Sequence, residues 1–346
     1  MNMSKTANFK HRDSIVDIAK GIGIFLVVLG HVPLPRELLT AIYLFHMPLF
    51  FFLSGMFFHS EENFIYGVYK KVRTLIIPYF FFAFIGNSTN VLRDYIVYQT
   101  ISIDSFWMLF DGSTAPLWFL ICLFLCYLMS RLVSLISNNW KFLLFFSVIE
   151  GGIGFVLINK NVILPFWGVQ ALLMQFYYIV GYVVRTVAYK ENTLYERFLK
   201  VDSLIIWVML IAFFLCYLRF DIRPDVVSLE LPYPFFFCIG SLLGIFLCIK
   251  LCKKISSKRS RLSMVLQQMG NQSLFILGFH SFLIYHLYFF SIPALMRVYS
   301  FFSIEVEGIY FRNCSWLGIL FVIPSIYVSM VLGNYCMKYV KFLFRL

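Results

Sequence analysis

RDSIVDIAKGIGIFLVVLGH, residues 12–31, is the stretch from which this chain is best read. From Ile15 onward it is apolar enough to enter a bilayer, yet it carries Asp17, Lys20 and His31. An ionisable side chain in hydrocarbon costs roughly 3 kcal/mol or more, so each of the three is a functional candidate. Asp17 and Lys20 are three residues apart and are neighbours on a helix. They read either as a self-neutralising pair or as part of a site. Lys20 and His31 are eleven apart. Eleven steps of 100° return to within about 20°, so both lie on one stripe, roughly 16 Å apart along the axis. Gly21, Gly23 and Gly30 thin the same helix and permit close packing or ligand approach.

The rest of the chain extends this pattern. Of 346 residues, 61% are hydrophobic and only 13% are charged. A soluble domain carries about 25% charged residues, and a core of this length could not hide so much apolar surface. Ten apolar runs are long enough to cross a bilayer, near 14–32, 38–58, 74–92, 115–136, 140–158, 163–184, 202–219, 232–251, 270–290 and 315–336. Pro48 and Ser54–Gly55 in the second run, which also holds His46, predict an irregular helix there, and the ninth run has polar interruptions. The expected fold is all-α: a polytopic integral membrane protein with about ten transmembrane helices around a polar cavity.

Charge placement sets the orientation. With the N-terminus inside, twenty-one Lys and Arg fall on inner segments and seven on outer ones, Lys20 being left aside within its span. That bias predicts both termini in the cytoplasm. It also accounts for the net charge of +12 without nucleic acid, which is excluded as a partner. The whole chain, 1–346, reads as a single transmembrane domain with residues 1–13 as a cytoplasmic tail and no appended extracytoplasmic domain. Most of the eight cysteines lie inside apolar runs, with Cys314 in an outer loop, and no CxxC or CxxH pattern occurs. They read as small buried hydrophobes, and no metal site is expected.

Other polar residues interrupt the spans. Imidazole is the natural general base near neutral pH, which makes His31 a candidate base as well as a candidate buried histidine. His46 reads as a packing residue or a pocket residue. In KKVR, residues 70–73, Lys70 and Arg73 are one α-helical turn apart and can face one anion. Topology or lipid headgroups explain such residues equally well. Trp118, Glu150 and His280 are further candidates for a substrate pocket; Glu150, if truly in hydrocarbon, faces a polar cavity. A transporter or flippase for a glycan or lipid-linked intermediate would share the spans and the intramembrane charges.

These residues carry a resemblance. Residues 12–31, FHMPLFFFLSGMFF (45–58), KKVRTLIIPY (70–79), PLWFLICLF (116–124) and NQSLFILGFH (271–280) resemble the acyltransferase-3 family, and within it the fucose 4-O-acetylase-like sugar O-acetyltransferases. The resemblance implies a bacterial inner-membrane enzyme that moves an acetyl or other short acyl group from acyl-CoA to a hydroxyl of a glycan or lipid-linked sugar. Some members carry an extracytoplasmic hydrolase-like domain, so this chain is expected to transfer directly or through a separate partner. The family's R/K-x10-H motif falls on Lys20 and His31, and its RxxR motif on Lys70 and Arg73, with Lys70 in place of the first Arg. With the residue reading above, the expected roles are His31 and Asp17 in catalysis, Lys20, Lys70 and Arg73 on acetyl-CoA phosphates, and His46, Trp118, Glu150 and His280 in the substrate pocket. A homo-oligomer is compatible with this assignment.

Overall fold

The computed structural model describes residues 13–59, 63–101, 116–188, 203–219, 224–231, 233–258, 260–301, 315–340 and 343. Cys314 lies outside the described residues. Among them the chain is helical, without strands; one isolated antiparallel bridge joins Asp225 and Glu230. In hydrocarbon a backbone must satisfy its own polar groups, and a helix does so within one segment.

The helices are α1 (Ser14–Gly30), α2 (Arg36–Gly55), α3 (Phe64–Lys71), α4 (Ile77–Tyr98), α5 (Trp118–Ile136), α6 (Trp140–Asn159), α7 (Gly168–Val183), α8 (Ser203–Arg219), α9 (Pro234–Ser256), α10 (Arg261–Asn271), α11 (Ser273–Phe301) and α12 (Ser315–Tyr339). A π-helical turn, Val72–Ile76, joins α3 to α4. Eight helical segments among the described residues are long and apolar enough to cross a membrane. The helices α1 and α8, at 17 residues each, are about 26 Å long and complete the ten apolar runs read from sequence. The short α10 is the exception. Its polar face and its exposed Leu262, Met264 and Val265 mark a helix lying beside the bundle rather than a crossing. Faces turned away from the bundle are apolar, as on α6, where Phe145, Val148, Ile153 and Val156 are exposed. In a bilayer those faces meet lipid.

The termini of α1 follow from local chemistry. Asp13 caps its start, accepting from the Ile15 N–H at 3.0 Å. Pro33 and Pro35, just beyond His31, stop it. Close backbone approach fixes its rotation: a Cβ at Gly21 would collide with the Leu266 carbonyl of α10, and one at Gly270 with the Asp17 carbonyl. The same device joins α2 to α7, where Gly55 abuts the Tyr178 carbonyl and Gly181 the Phe52 carbonyl. Small residues admit such backbone contact between membrane helices.

The second run forms a single helix. Helix α2 is continuous from Arg36 to Gly55 with Pro48 inside it. Pro48 has no N–H, so the Leu44 carbonyl loses its intrahelical donor. The Ser241 hydroxyl of α9 supplies one, 2.8 Å from Leu44 O, while also lying against the Phe237 carbonyl. Ser241→Ala is expected to leave the buried Leu44 carbonyl unsatisfied and to lower stability by about 1–3 kcal/mol. Unfolding of the protein in graded SDS measures this; an unchanged midpoint would remove the hydroxyl from the account.

The third run also starts earlier than its hydropathy suggests. Residues 64–98 form one helical column, so KKVR lies within it, ahead of the apolar run at 74–92. The ninth run, 270–290, opens on the last two residues of α10, breaks at Gln272 and continues as the long α11.

Candidate active site

One stripe of α1 faces inward: Lys20, Ile24, Val27 and His31, spaced four, three and four residues apart. Along it lie two cavities. The larger, about 520 Å³, is lined by Lys20, Lys70 and Lys71 among apolar residues of α2, α5 and α11. The smaller, about 170 Å³, is lined by His31, Tyr43, His46, Trp118 and Asp225. Three apolar side chains line both: Val27 of α1, Met47 of α2 and Leu277 of α11. The sequence stripe thus becomes a path, with cations at one end and imidazoles at the other.

In the larger cavity the lysines lie along aromatic walls. Lys20 Nζ is 5.1 Å from the Phe57 ring centroid, and Lys71 Nζ is 5.3 Å from that of Tyr127. Such contacts hold an ammonium against the wall by its attraction to the ring face. Three converging cations in a largely apolar cavity suit a polyanionic group with an uncharged arm.

Arg73 does not line this cavity. Its guanidinium lies over the Tyr69 ring, 5.7 Å from the centroid, and Nη1 donates to the Tyr69 hydroxyl at 3.3 Å. The α-helical turn that would bring Lys70 and Arg73 onto one face is interrupted by the π turn at Val72–Ile76. A π turn closes i→i+5 bonds and rotates the residues beyond it. Residues 70, 71, 74 and 75 face the cavity instead. KKVR does not signal which of its residues face the cavity, so the part played by Lys71 is not legible from it.

In the smaller cavity His31 is accessible, and the space it opens onto is the cavity itself. As α1 ends, the His31 N–H bonds to Val28 O, which frees the Val27 carbonyl. The His31 ring takes that carbonyl through Nδ1 at 2.7 Å. A carbonyl only accepts, so Nδ1 carries the proton and Nε2 presents a lone pair. The His46 ring is held in the same way, Nδ1 to Ile42 O at 2.7 Å, and lies edge-on to Tyr43 with centroids 5.1 Å apart. Two imidazoles with the same tautomer therefore line one small cavity.

Trp118 is buried and packs against Trp167, ring centroids 5.7 Å apart. Phe166 and Trp167 both have φ near +60°, a region L residues seldom occupy, and this turn presents the Trp167 ring to Trp118. Asp225 closes the cavity from the segment 224–231, which is tied to α7 by Gln170 Nε2 donating to Val227 O at 3.1 Å. Asp225 thus lines the same cavity as His31. No helical spacing relates Asp225 to α1, so sequence offered no sign of it. Tyr43 was legible in principle, since 43, 46, 47 and 50 form one helical face.

Other candidates lie elsewhere. Asp17 is buried in the first turn of α1, where its backbone meets α10, and lines neither cavity. It stands fourteen residues, about 21 Å along the axis, from His31. Glu150 is half-buried on α6, also away from both cavities, with Oε2 unpaired. His280 is fully buried behind His31, edge-on with ring centroids 4.9 Å apart. Its Nδ1 donates to Ile276 O and Leu277 O, and its Nε2 has no partner.

Comparison with known proteins gives this geometry a context. Residues 13–335 match the family described as an acyltransferase domain. A nodulation protein, NolL, of Mesorhizobium japonicum is 28% identical over 147 residues, which is 37% of this chain and 38% of that protein. The match therefore spans well under two thirds of that relative's length. No solved structure matches the chain.

Proposed function

Because the chain belongs to the acyltransferase-3 family over residues 13–335 and is a multi-pass membrane acyltransferase, we propose that it carries an acyl group from acyl-CoA to a sugar hydroxyl of a glycan or lipid-linked sugar. The observation that carries this reading is the pair of cavities along α1, cationic at Lys20 and imidazole-lined at His31. A glycan transporter would share the spans, but the family match favours group transfer.

The donor phosphates meet Lys20, Lys70 and Lys71. The uncharged pantetheine arm runs along Ile24 toward Val27 and presents the thioester carbonyl where the cavities share their lining. The sugar enters the smaller cavity against Trp118, since an aromatic face suits the apolar face of a sugar. His31 Nε2 removes the hydroxyl proton as the oxygen attacks the thioester carbon. A C–O bond forms, the C–S bond breaks, and the imidazolium returns its proton to the departing thiolate. The Asp225 carboxylate stabilises the imidazolium while it lasts. The inner bias of basic residues supports a donor side in the cytoplasm, and the family resemblance supports a bacterial inner membrane.

Two experiments test the reading. Purified protein in lipid nanodiscs, given acetyl-CoA and a surface glycan, is expected to release CoA and acetylate the glycan, as read by mass spectrometry; glycan movement without CoA release would replace transfer with transport. Lys71→Ala is expected to raise KM for acetyl-CoA by about 10–100-fold, the worth of a charge-assisted contact. Arg73→Ala is expected to change it by less than about threefold, as befits an exposed contact. The reverse order would return the anion site to Arg73.

A further inference from the structure

The two cavities share only apolar lining. Val27, Met47 and Leu277 border both, and none can pair with a charge. If the site takes acyl-CoA as proposed, the thioester carbon must come within reach of a hydroxyl beside His31. Its CoA portion must then extend into the larger cavity. The acyl substituent is left at the shared lining.

The three residues differ in their freedom to move. The Val27 carbonyl holds the His31 ring at 2.7 Å, so a shift of Val27 would turn the base. Leu277 is buried, and its carbonyl accepts from His280 Nδ1 at 3.0 Å. Met47 is half-buried and has an unbranched, flexible side chain. It also lies beside His46, on the face of α2 that passes from one cavity to the other.

We infer that Val27, Met47 and Leu277 form the acyl-selecting wall of this enzyme, that the group transferred is short and uncharged, and that Met47 sets its length. An acyl group ending in a carboxylate, such as succinyl, would bury that charge against the three side chains without a partner, which is strongly unfavourable. A longer alkyl chain would collide with Met47, and a smaller residue there would create room for it.

The test is binding, which needs no acceptor. Affinities of CoA, acetyl-CoA, propionyl-CoA, butyryl-CoA and succinyl-CoA are measured by titration calorimetry for the full chain in nanodiscs. Each is expressed as a ratio to CoA itself. The native protein is expected to prefer acetyl or propionyl and to bind succinyl-CoA at least tenfold more weakly than butyryl-CoA. Met47→Ala is expected to raise the butyryl ratio about tenfold or more, within the 10–200-fold range that one methylene commands in an apolar pocket. Leu277→Ala is the second variant, expected to shift the ratio in the same direction. Ratios unchanged in both variants while CoA still binds would overturn the acyl wall and leave the donor site standing. Succinyl-CoA binding equal to butyryl-CoA would overturn the charge exclusion. If the native protein bound no CoA species, both the donor reading and this inference would fall.

Discussion

His31→Ala is expected to lower acyl transfer by about 10²–10⁴-fold while leaving acyl-CoA binding nearly intact. The cause is positional. The Nε2 lone pair is fixed by the Nδ1 bond to Val27 O, and it faces the small cavity rather than the cationic one. The lysines that would hold the donor phosphates are about two and a half to three turns away along α1 or on another helix, so removing the imidazole leaves them in place. A neutral hydroxyl is a poor nucleophile without a base, and the loss therefore falls on kcat. Acetyl-CoA turnover and binding measured on one preparation would separate the two effects. His46 supplies the internal comparison, because it lines the same cavity in the same tautomer. If His46→Ala cost more than His31→Ala, the base would be His46. A trapped acetyl-imidazole on His31 would instead make it the nucleophile.

Gly55→Ala is expected to be the most damaging single methyl in the bundle, costing about 3 kcal/mol or more. The added Cβ would strike the backbone carbonyl of Tyr178, and Gly181 sets the reciprocal contact against Phe52 O. Neither partner is a side chain that can swing aside. Relief requires α2 and α7 to separate, and that displaces Met47 and His46 on one helix and Gln170 on the other. Loss of transfer should therefore accompany loss of stability. Gly86→Ala and Gly152→Ala serve as controls, since nothing lies within 4 Å of a Cβ at either position. There alanine should be neutral or slightly stabilising, because it is the better helix former. SDS unfolding midpoints of the three variants would decide; a Gly55 variant as stable as the controls would show that the crossing is looser than its geometry indicates.

The two expectations draw on different layers of the sequence. The Lys20–His31 stripe was legible because a helix has a fixed angular step, and eleven residues return to one face whatever surrounds it. The glycines of the first span were legible as small, but not as contacts. Which carbonyl each would meet depends on how two distant segments cross. The family motif at residues 70–73 shows the limit from the other side. Its spacing pairs Lys70 with Arg73, whereas residues 70, 71, 74 and 75 line the cavity and Arg73 lies over Tyr69. Pro48 shows it again: local chemistry says that it removes a donor from the Leu44 carbonyl, and only the fold brings in the Ser241 hydroxyl, 193 positions on from the proline.

What the sequence determined by itself was whatever is periodic or compositional. The ten apolar runs, the basic bias of one side, the Lys20–His31 stripe and the family motifs are properties of local spacing, and hydrocarbon solvent enforces the helix that makes spacing meaningful. What only the tertiary structure decided was every relation between segments with no common period. These are the division of the path into two cavities, the apolar wall between them, the presence of Asp225 beside His31 and the separation of Asp17 and Glu150 from both cavities. The physical reason is that helix geometry fixes direction along one axis, whereas the crossing of helices is set by which side chains are small enough to let backbones touch.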